Sequence, residues 1–115
     1  MDSSDIFGEM QIFEPKNKFA VWIHDSDARL FLGLPPAKVS PSRWAILGEF
    51  VEEASTGIWI DVDHVQEWTH DGDTWRVTNT WNVTPPRCLV LWTFVITIQL
   101  VERFDGLKAL GFRKE

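Results

Sequence analysis

Apolar side chains at every second position mark the first predicted strands of this sequence. Residues 18–25 read KFAVWIHD, which places phenylalanine, valine and isoleucine on one face of a strand. Residues 28–34 repeat the pattern with three leucines, and the Asp-Ser-Asp segment between the two runs is typical of a turn. Pro35 and Pro36 end the second strand, because proline has no amide hydrogen to donate to a sheet. The pattern therefore predicts a β-hairpin.

A helical spacing of apolar side chains replaces this alternation after residue 40. Ser40 suits the N-cap, and Pro41 suits the first helical position, where a backbone amide has no partner in any case. Gly48 lowers the helix propensity by about 1 kcal/mol, and Gly57 suits the helix end. The predicted apolar stripe consists of Trp44, Leu47, Phe50, Val51 and Ala54, and the opposite face carries Glu49, Glu52 and Glu53. We expect this to be the main helix of the fold.

The clearest predicted hairpin joins residues 58–69 to residues 74–83. If residues 71–72 (Asp-Gly) form its two-residue loop, Trp68 faces Trp75 across the ladder. This register separates an apolar face from a polar face, and a slip of one residue would mix them. The sequence therefore predicts both the hairpin and its register.

The remainder of the chain predicts one long strand and one short helix. Residues 88–102 are rich in β-branched and aromatic side chains, which indicates a central strand. Asp105 suits the start of a C-terminal helix that ends at Gly111. The predicted order is ββ-α-βββ-α: an α+β fold with one antiparallel sheet of about five strands packed on one main helix. We expect a single domain over residues 1–115, with residues 1–10 as a flexible arm.

Composition narrows the class of protein. The 115 residues are 44% hydrophobic and 24% charged, which is typical of a folded globular domain. Cys88 is the single cysteine and cannot form an internal disulfide, so we expect a reducing, cytoplasmic compartment. The first residues lack a signal-peptide pattern, and no apolar run is long enough to span a bilayer. No nucleotide-binding, redox or hydrolase motif is complete, so we expect neither a cofactor nor an enzyme.

The net charge of −6 is concentrated in one segment. Between Arg43 and Arg76 lie 32 residues with no lysine or arginine and eight acidic residues. A surface of this sign disfavours nucleic acids and anionic membranes and favours a basic protein or a divalent cation. The spacing of calcium loops is absent, and no pair of histidines has the spacing of zinc ligands, so we expect no metal site.

The candidate partner-binding residues combine these acids with one tryptophan. Trp59 lies on the polar face of the predicted hairpin, and aromatic side chains among charges are frequent anchors of protein interfaces. The candidates are Glu49, Glu52, Glu53, Trp59, Asp61, Asp63 and Glu67. A solvated face that only maintains solubility is the alternative interpretation.

A weaker candidate is a polar spot on the predicted apolar face. The register places His64 opposite Asn79, with Gln66 beside them. Two buried polar side chains that face each other satisfy each other's hydrogen bonds, which is a structural role. The functional alternative is a pocket in which His64 is a general base.

These observations lead to one functional hypothesis and two alternatives. We expect a small acidic intracellular binding protein that docks on a basic protein, as immunity proteins, antitoxins and inhibitors do. The first alternative is a ligand-binding or hydrolytic domain with a pocket near His64 and Asn79. The second is a subunit of an obligate oligomer, in which the excess aromatic surface of this tryptophan-rich chain is buried between copies.

Overall fold

Residues 15–37 and 41–103 are described by the computed structural model, and within these ranges the chain forms six strands and one α-helix. The elements are β1 (Lys18–Ile23), α1 (Asp25–Leu32), β2 (Arg43–Ala54), β3 (Gly57–Asp71), β4 (Thr74–Trp81), β5 (Arg87–Leu91) and β6 (Val95–Val101). A 3₁₀ turn, Trp92–Phe94, connects the last two strands. The predicted flexible arm and the predicted C-terminal helix lie outside the described residues.

All six strands belong to one antiparallel sheet in the order β4-β3-β2-β1-β6. The long strand β3 has two partners along its outer edge: its first residues pair with β5 and its last residues pair with β4. The single antiparallel sheet with one helix agrees with an α+β fold. The predicted number of strands and the predicted order of elements were wrong.

The segment predicted as the main helix is the strand β2. Its first residues are apolar on both sides, since Trp44 and Ile46 pack into one core while Ala45 and Leu47 pack into another. A short continuous apolar run fits a strand that is buried on both faces as well as it fits a helix. Tertiary packing therefore overrode the helical spacing.

The segment predicted as the second strand is largely α1. Asp25 and Asp27 lie in its first turn, where carboxylates interact favourably with the helix dipole. Arg29 pairs with Asp25 one turn away, and Gly33 ends the helix with a φ of 73°. Ala28 is the buried residue of this helix. The alternating leucines therefore did not indicate a strand.

The register of the β3–β4 hairpin also differs from the prediction. The two loop residues are Gly72 and Asp73, so that Trp68 lies opposite Val77 and Trp75 lies opposite His70. Gly72 has a φ of 68°, and a glycine with positive φ at the first loop position is typical of a type II′ turn. The predicted loop, residues 71–72, was therefore wrong by one residue.

Bulges shift the alternation inside the sheet. Leu47 pairs with His64 while the next residue, Gly48, pairs with Val62, which leaves Asp63 as an extra residue in β3. Val62 belongs to the core beside α1, whereas His64 and the residues after it follow the opposite alternation. The predicted continuous apolar face is therefore divided between two sides of the sheet.

Each face of the sheet carries its own core. The core on the side of α1, here the helix-side core, includes Phe19, Val21, Ile23, Ala28, Trp44, Ile46, Phe50, Ile58, Ile60, Val62, Val65 and Val90. The core on the opposite face, here the far-side core, consists of Ala20, Trp22, Ala45, Leu47 and Trp68, with Trp75, Val77 and Val101 packed against it. Burial on both faces explains why apolar residues fill the central strands.

The predicted long strand over residues 88–102 is interrupted. Trp92 and Phe94 form the 3₁₀ turn between β5 and β6, yet both pack on the helix-side core. Because both side chains are partly buried, apolar residues continue to alternate through the 3₁₀ turn. The sequence pattern therefore did not indicate that the strand is interrupted there. Among the described residues, both resulting strands lie at edges of the sheet rather than at its centre.

Candidate functional site

Four acids and one tryptophan meet on neighbouring positions of β2 and β3. Glu49 lies directly opposite Asp61, and Glu52 lies directly opposite Trp59. Opposite residues of an antiparallel pair share a face and have Cβ atoms about 5 Å apart. Asp63 follows at the bulge two residues beyond Asp61. We call these five residues the acidic face.

The acidic face lies on the side of the sheet away from α1. Phe50 and Ile60 are opposite each other and belong to the helix-side core. Because successive side chains of a strand point to opposite faces, Glu49 and Asp61 next to them point away from that core. Trp59 precedes Ile60 and follows the same rule. Its side chain is half-buried.

Two cations border the acidic face. Arg87 of β5 lies opposite Asp61 and donates two hydrogen bonds to its carboxylate, at 2.7 and 3.0 Å. Lys18 of β1 lies opposite Glu49. The row of paired residues across β5, β3, β2 and β1 is therefore Arg87, Asp61, Glu49 and Lys18: basic, acidic, acidic, basic. This order relieves the repulsion between the two adjacent carboxylates, which would otherwise destabilise the pair.

The Arg87 contact shifts the pKa of both partners. Its hydrogen bonds, followed by its charge, hold the pKa of the Asp61 carboxyl below its ordinary value. The same contact raises the pKa of Arg87. Asp61 therefore keeps its charge to a lower pH than an isolated aspartate.

Replacing Arg87 tests this contact. Arg87→Gln removes the charge and the bidentate geometry, so the pKa of Asp61 is expected to rise toward its ordinary value. A carbon-detected NMR titration of the Asp61 carboxyl measures the change, and Arg76→Gln on β4 is the control that leaves this carboxyl alone. An unchanged Asp61 titration in Arg87→Gln would show that the ion pair does not persist in solution.

Two of the predicted partner-binding residues lie elsewhere. Glu67 is opposite Trp44, a helix-side core residue, and its side chain is only 13% exposed. Glu53 is opposite Ile58, which also belongs to the helix-side core. The seven predicted partner-binding residues therefore do not share one surface. The acidic face arises instead from two paired strands.

Glu67 is part of a polar network at the end of the sheet near α1. Its carboxylate accepts hydrogen bonds from Ser42 Oγ at 2.8 Å and from Asn79 Nδ2 at 2.9 Å. Arg29 lies 3.5 Å from the same carboxylate and bonds Asp25 through its Nε at 3.0 Å. These contacts tie α1 to β3 and β4. Charges this far removed from solvent need such partners, so the arrangement is explained by stability.

Asp25 links the same network to the core. Its Oδ1 accepts a 2.7 Å hydrogen bond from Nε1 of Trp44, which is fully buried. Arg29 lies over the Trp44 ring, 5.5 Å from its centre. The start of α1 is thereby anchored to β2 through one carboxylate.

The predicted pair of His64 and Asn79 does not form. Asn79 bonds Glu67, while His64 Nδ1 lies 2.8 Å from an Asp63 carboxylate oxygen. His64 Nε2 lies 3.1 Å from the amide nitrogen of Gln66. The bulge at Asp63 and the shifted hairpin register separate the two side chains that the sequence placed together.

Hydrogen-bond chemistry assigns the tautomer of His64. The indole nitrogen of Trp68 can only donate, and it bonds Gln66 Oε1 at 3.0 Å. The Gln66 amide nitrogen therefore faces His64 and donates to Nε2. The proton of neutral His64 must then lie on Nδ1, directed at Asp63. The chain of bonds orients His64 but brings no nucleophile to it.

Two cavities flank the start of α1, and neither is lined by His64 or Asn79. The larger, about 650 Å³, is an open groove between the junction of β1 with α1, residues 41–43 and β6. Its lining includes Trp22, His24, Asp25, Arg43, Ile96 and Gln99. The smaller, about 530 Å³, follows α1 and is lined mainly by apolar side chains and by Asp25 and Arg29. No sequence pattern indicated these cavities, because they arise where the start of α1 meets the sheet.

Comparison with known proteins supplies no relative. No protein-family model matches the chain, and no curated protein or solved structure shows significant similarity to it. Among residues 15–37 and 41–103, no group of three or more His, Cys, Asp or Glu side chains is placed to hold a metal ion. Within the same ranges no helix is long and apolar enough to cross a membrane.

Proposed function

We propose that this chain is a binding protein whose acidic face docks on a basic surface of a partner protein. The observation that carries the proposal is the meeting of Glu49, Glu52, Trp59, Asp61 and Asp63 on one side of the sheet. Immunity proteins, antitoxins and inhibitors of nucleic-acid enzymes use the same physical chemistry. The likeness is one of surface chemistry alone.

Trp59 supplies the apolar part of this surface. It lies between Glu52 on β2 and Leu89 on β5, so its ring has a charged neighbour on one side and an aliphatic neighbour on the other. Tryptophans in such surroundings are enriched among the residues that dominate binding energy. Trp59 would therefore govern how long a complex lasts.

The acids supply attraction before contact. Glu52 and Asp63 are exposed, and the chain carries a net charge of −6. Their field reaches about one Debye length, ~8 Å at physiological ionic strength. Such fields raise association rates more than they lower dissociation rates. Lys18 and Arg87, at the borders of the face, would restrict the orientation in which a basic partner docks.

A charge-matched pair of variants tests the proposal. One variant, Glu49→Gln/Glu52→Gln/Asp63→Asn, neutralises three acids of the acidic face. The control, Glu53→Gln/Asp73→Asn/Glu102→Gln, neutralises three exposed acids elsewhere and has the same net charge. The natural partner is captured from the source cells with the unaltered chain and identified by mass spectrometry. Its association rate is then measured with each variant at several salt concentrations.

The expected result is specific to position. The variant of the acidic face should slow association about tenfold or more at low salt, and the control should change it much less. Trp59→Ala should mainly raise the dissociation rate, because it removes an anchor rather than a charge. A partner that binds both triple variants equally well and is insensitive to salt would contradict docking through this face.

The alternative of a ligand-binding or hydrolytic domain was based on a predicted pocket at His64 and Asn79. It required His64 and Asn79 in one pocket, and the two side chains bond different partners. These two side chains therefore do not support a proposal of enzymatic activity.

A further inference from the structure

Strand β6 leaves one edge of the sheet open. In the part of the chain that the structure describes, it pairs with β1 on one side and with no strand on the other. Its sequence, VITIQLV, has no charged residue and no proline. Leu100 is 51% exposed and Ile96 is 57% exposed. Natural proteins normally protect such an edge, because its backbone groups can pair with another strand.

The other open edges carry that protection. Strand β4 contains Arg76 and a bulge at its pairing with β3, and its outward residues are mainly threonine and asparagine. Strand β5 has only five residues and follows two prolines. In β6 a bulge at Ile96 interrupts the pairing with β1 near the start of the strand, but residues 97–101 pair regularly with β1. The contrast singles out residues 97–101 as an edge able to bind a strand.

We propose that the occupant of this edge is β6 of a second copy of the same chain. The segment is nearly symmetric about Gln99, with Ile98 and Leu100 on either side and two β-branched residues outside them. Antiparallel pairing about a two-fold axis at Gln99 places Ile98 of each chain opposite Leu100 of the other. The two identical edges then complement each other, and the interface closes on itself as a dimer.

Side-chain positions support this pairing. Ile98 lies opposite Val21 and Leu100 lies opposite Phe19, so both face the helix-side core. In the dimer these aliphatic side chains form a four-residue cluster that extends that core and covers Leu100. Gln99 faces the other side, where its Oε1 accepts a 2.6 Å hydrogen bond from Trp22 Nε1.

Charge does not oppose the association. Strands in a sheet lie about 4.8 Å apart, and five such steps separate the two β2 strands of the dimer, about 24 Å in all. That distance is several Debye lengths at physiological ionic strength, so the acidic faces of the two copies are screened from each other. The acidic face also lies on strands away from the dimer edge, so both surfaces can be used at once.

Measurement of mass and amide exchange tests the dimer. Sedimentation equilibrium of the unaltered chain is expected to give twice the 13.3 kDa of one chain at sufficient concentration. Leu100→Lys places a charge inside the interface and should raise the dissociation constant more than about tenfold. Leu30→Lys on α1, where the leucine is 76% exposed, is the matched control and should leave the dimer intact. Amide exchange within residues 97–101 should slow as the concentration of the unaltered chain rises.

Three outcomes would overturn the proposal. The first is a single-chain mass up to millimolar concentration, which would show that β6 does not pair with a second copy. The second is a dimer that folded Leu100→Lys leaves unchanged. The third is amide exchange in residues 97–101 that does not depend on concentration, and this measurement needs no variant. None of these outcomes bears on docking through the acidic face.

Discussion

Trp68→Ala is expected to lower the free energy of unfolding by about 3–5 kcal/mol, as loss of a fully buried large aromatic side chain does. Trp68 is 0% exposed and packs against Trp22, with ring centres 5.7 Å apart. Its indole nitrogen also donates to Gln66 Oε1, which the substitution leaves without that donor. Urea unfolding followed by circular dichroism measures the effect.

Trp75→Ala is the matched control for Trp68→Ala. Trp75 is half-buried at the border of the same core, where Arg43 lies 4.1 Å above its ring. Its loss should cost clearly less, since part of the cavity fills with solvent. Equal losses for the two variants would contradict the far-side core as the structure describes it.

Gly48→Ala is expected to destabilise the fold by about 3 kcal/mol, at the upper end of ordinary overpacking. A Cβ atom at this position would overlap Ile60 Cγ2 and would lie 2.5 Å from the carbonyl oxygen of Asp61. The backbone of a paired strand cannot move aside without breaking the ladder. The shift of the unfolding midpoint at constant slope is the measurement.

Gly72→Ala separates this steric effect from the loss of a glycine as such. Gly72 has a φ of 68°, and a Cβ atom there would meet nothing within 4 Å. Alanine at Gly72 should therefore cost only about 1 kcal/mol of backbone strain. A Gly48→Ala variant as stable as Gly72→Ala would show that β2 and β3 are not in close contact at the bulge.

Part of this fold could be predicted from the sequence because some signals were local. The alternation in residues 18–23 gave β1, and the glycine-containing turn gave the β3–β4 hairpin. The register of this hairpin depends on which two residues form its loop. The segment Asp-Gly-Asp at residues 71–73 allows either Asp-Gly or Gly-Asp as the loop, and the structure has Gly-Asp. The bulge at Thr78, which puts Glu67 opposite Asn79 and Trp68 opposite Val77, left no clear mark in the sequence.

Between residues 25 and 54 the sequence predicted a strand where the structure has α1 and a helix where it has β2, and these two errors have a different cause. Signals for α1 were present in the sequence: two acids in a first turn, an Asp25–Arg29 spacing of four residues and Gly33 at the end. The alternating leucines outweighed them in the prediction. For β2 the consecutive apolar residues from Trp44 to Leu47 indicated burial on both faces, which a single amphipathic helix does not provide.

The residues of the acidic face were among those predicted from the sequence, but their arrangement was not. The acids of the acidic face follow from the uneven charge of the chain, and Trp59 follows from its position on the polar face of the predicted hairpin. Their meeting depends on the pairing of β2 with β3, which the predicted helix precluded. Arg87 was missed, because it reaches Asp61 only through the pairing of β5 with β3, and no local pattern encodes that contact.

The bulge at Asp63 also constrains how this chain can change in length. Before it, Ile60 and Val62 point to the helix side; after it, Trp68 points to the far side. Loss of one residue elsewhere between Ile58 and Trp68 would exchange inward and outward positions along half of the strand. Loss of Asp63 itself would straighten the strand and keep both halves in place. Insertions and deletions in β3 are therefore more restricted than substitutions, and divergence along this strand should preserve its residue count at every position except Asp63.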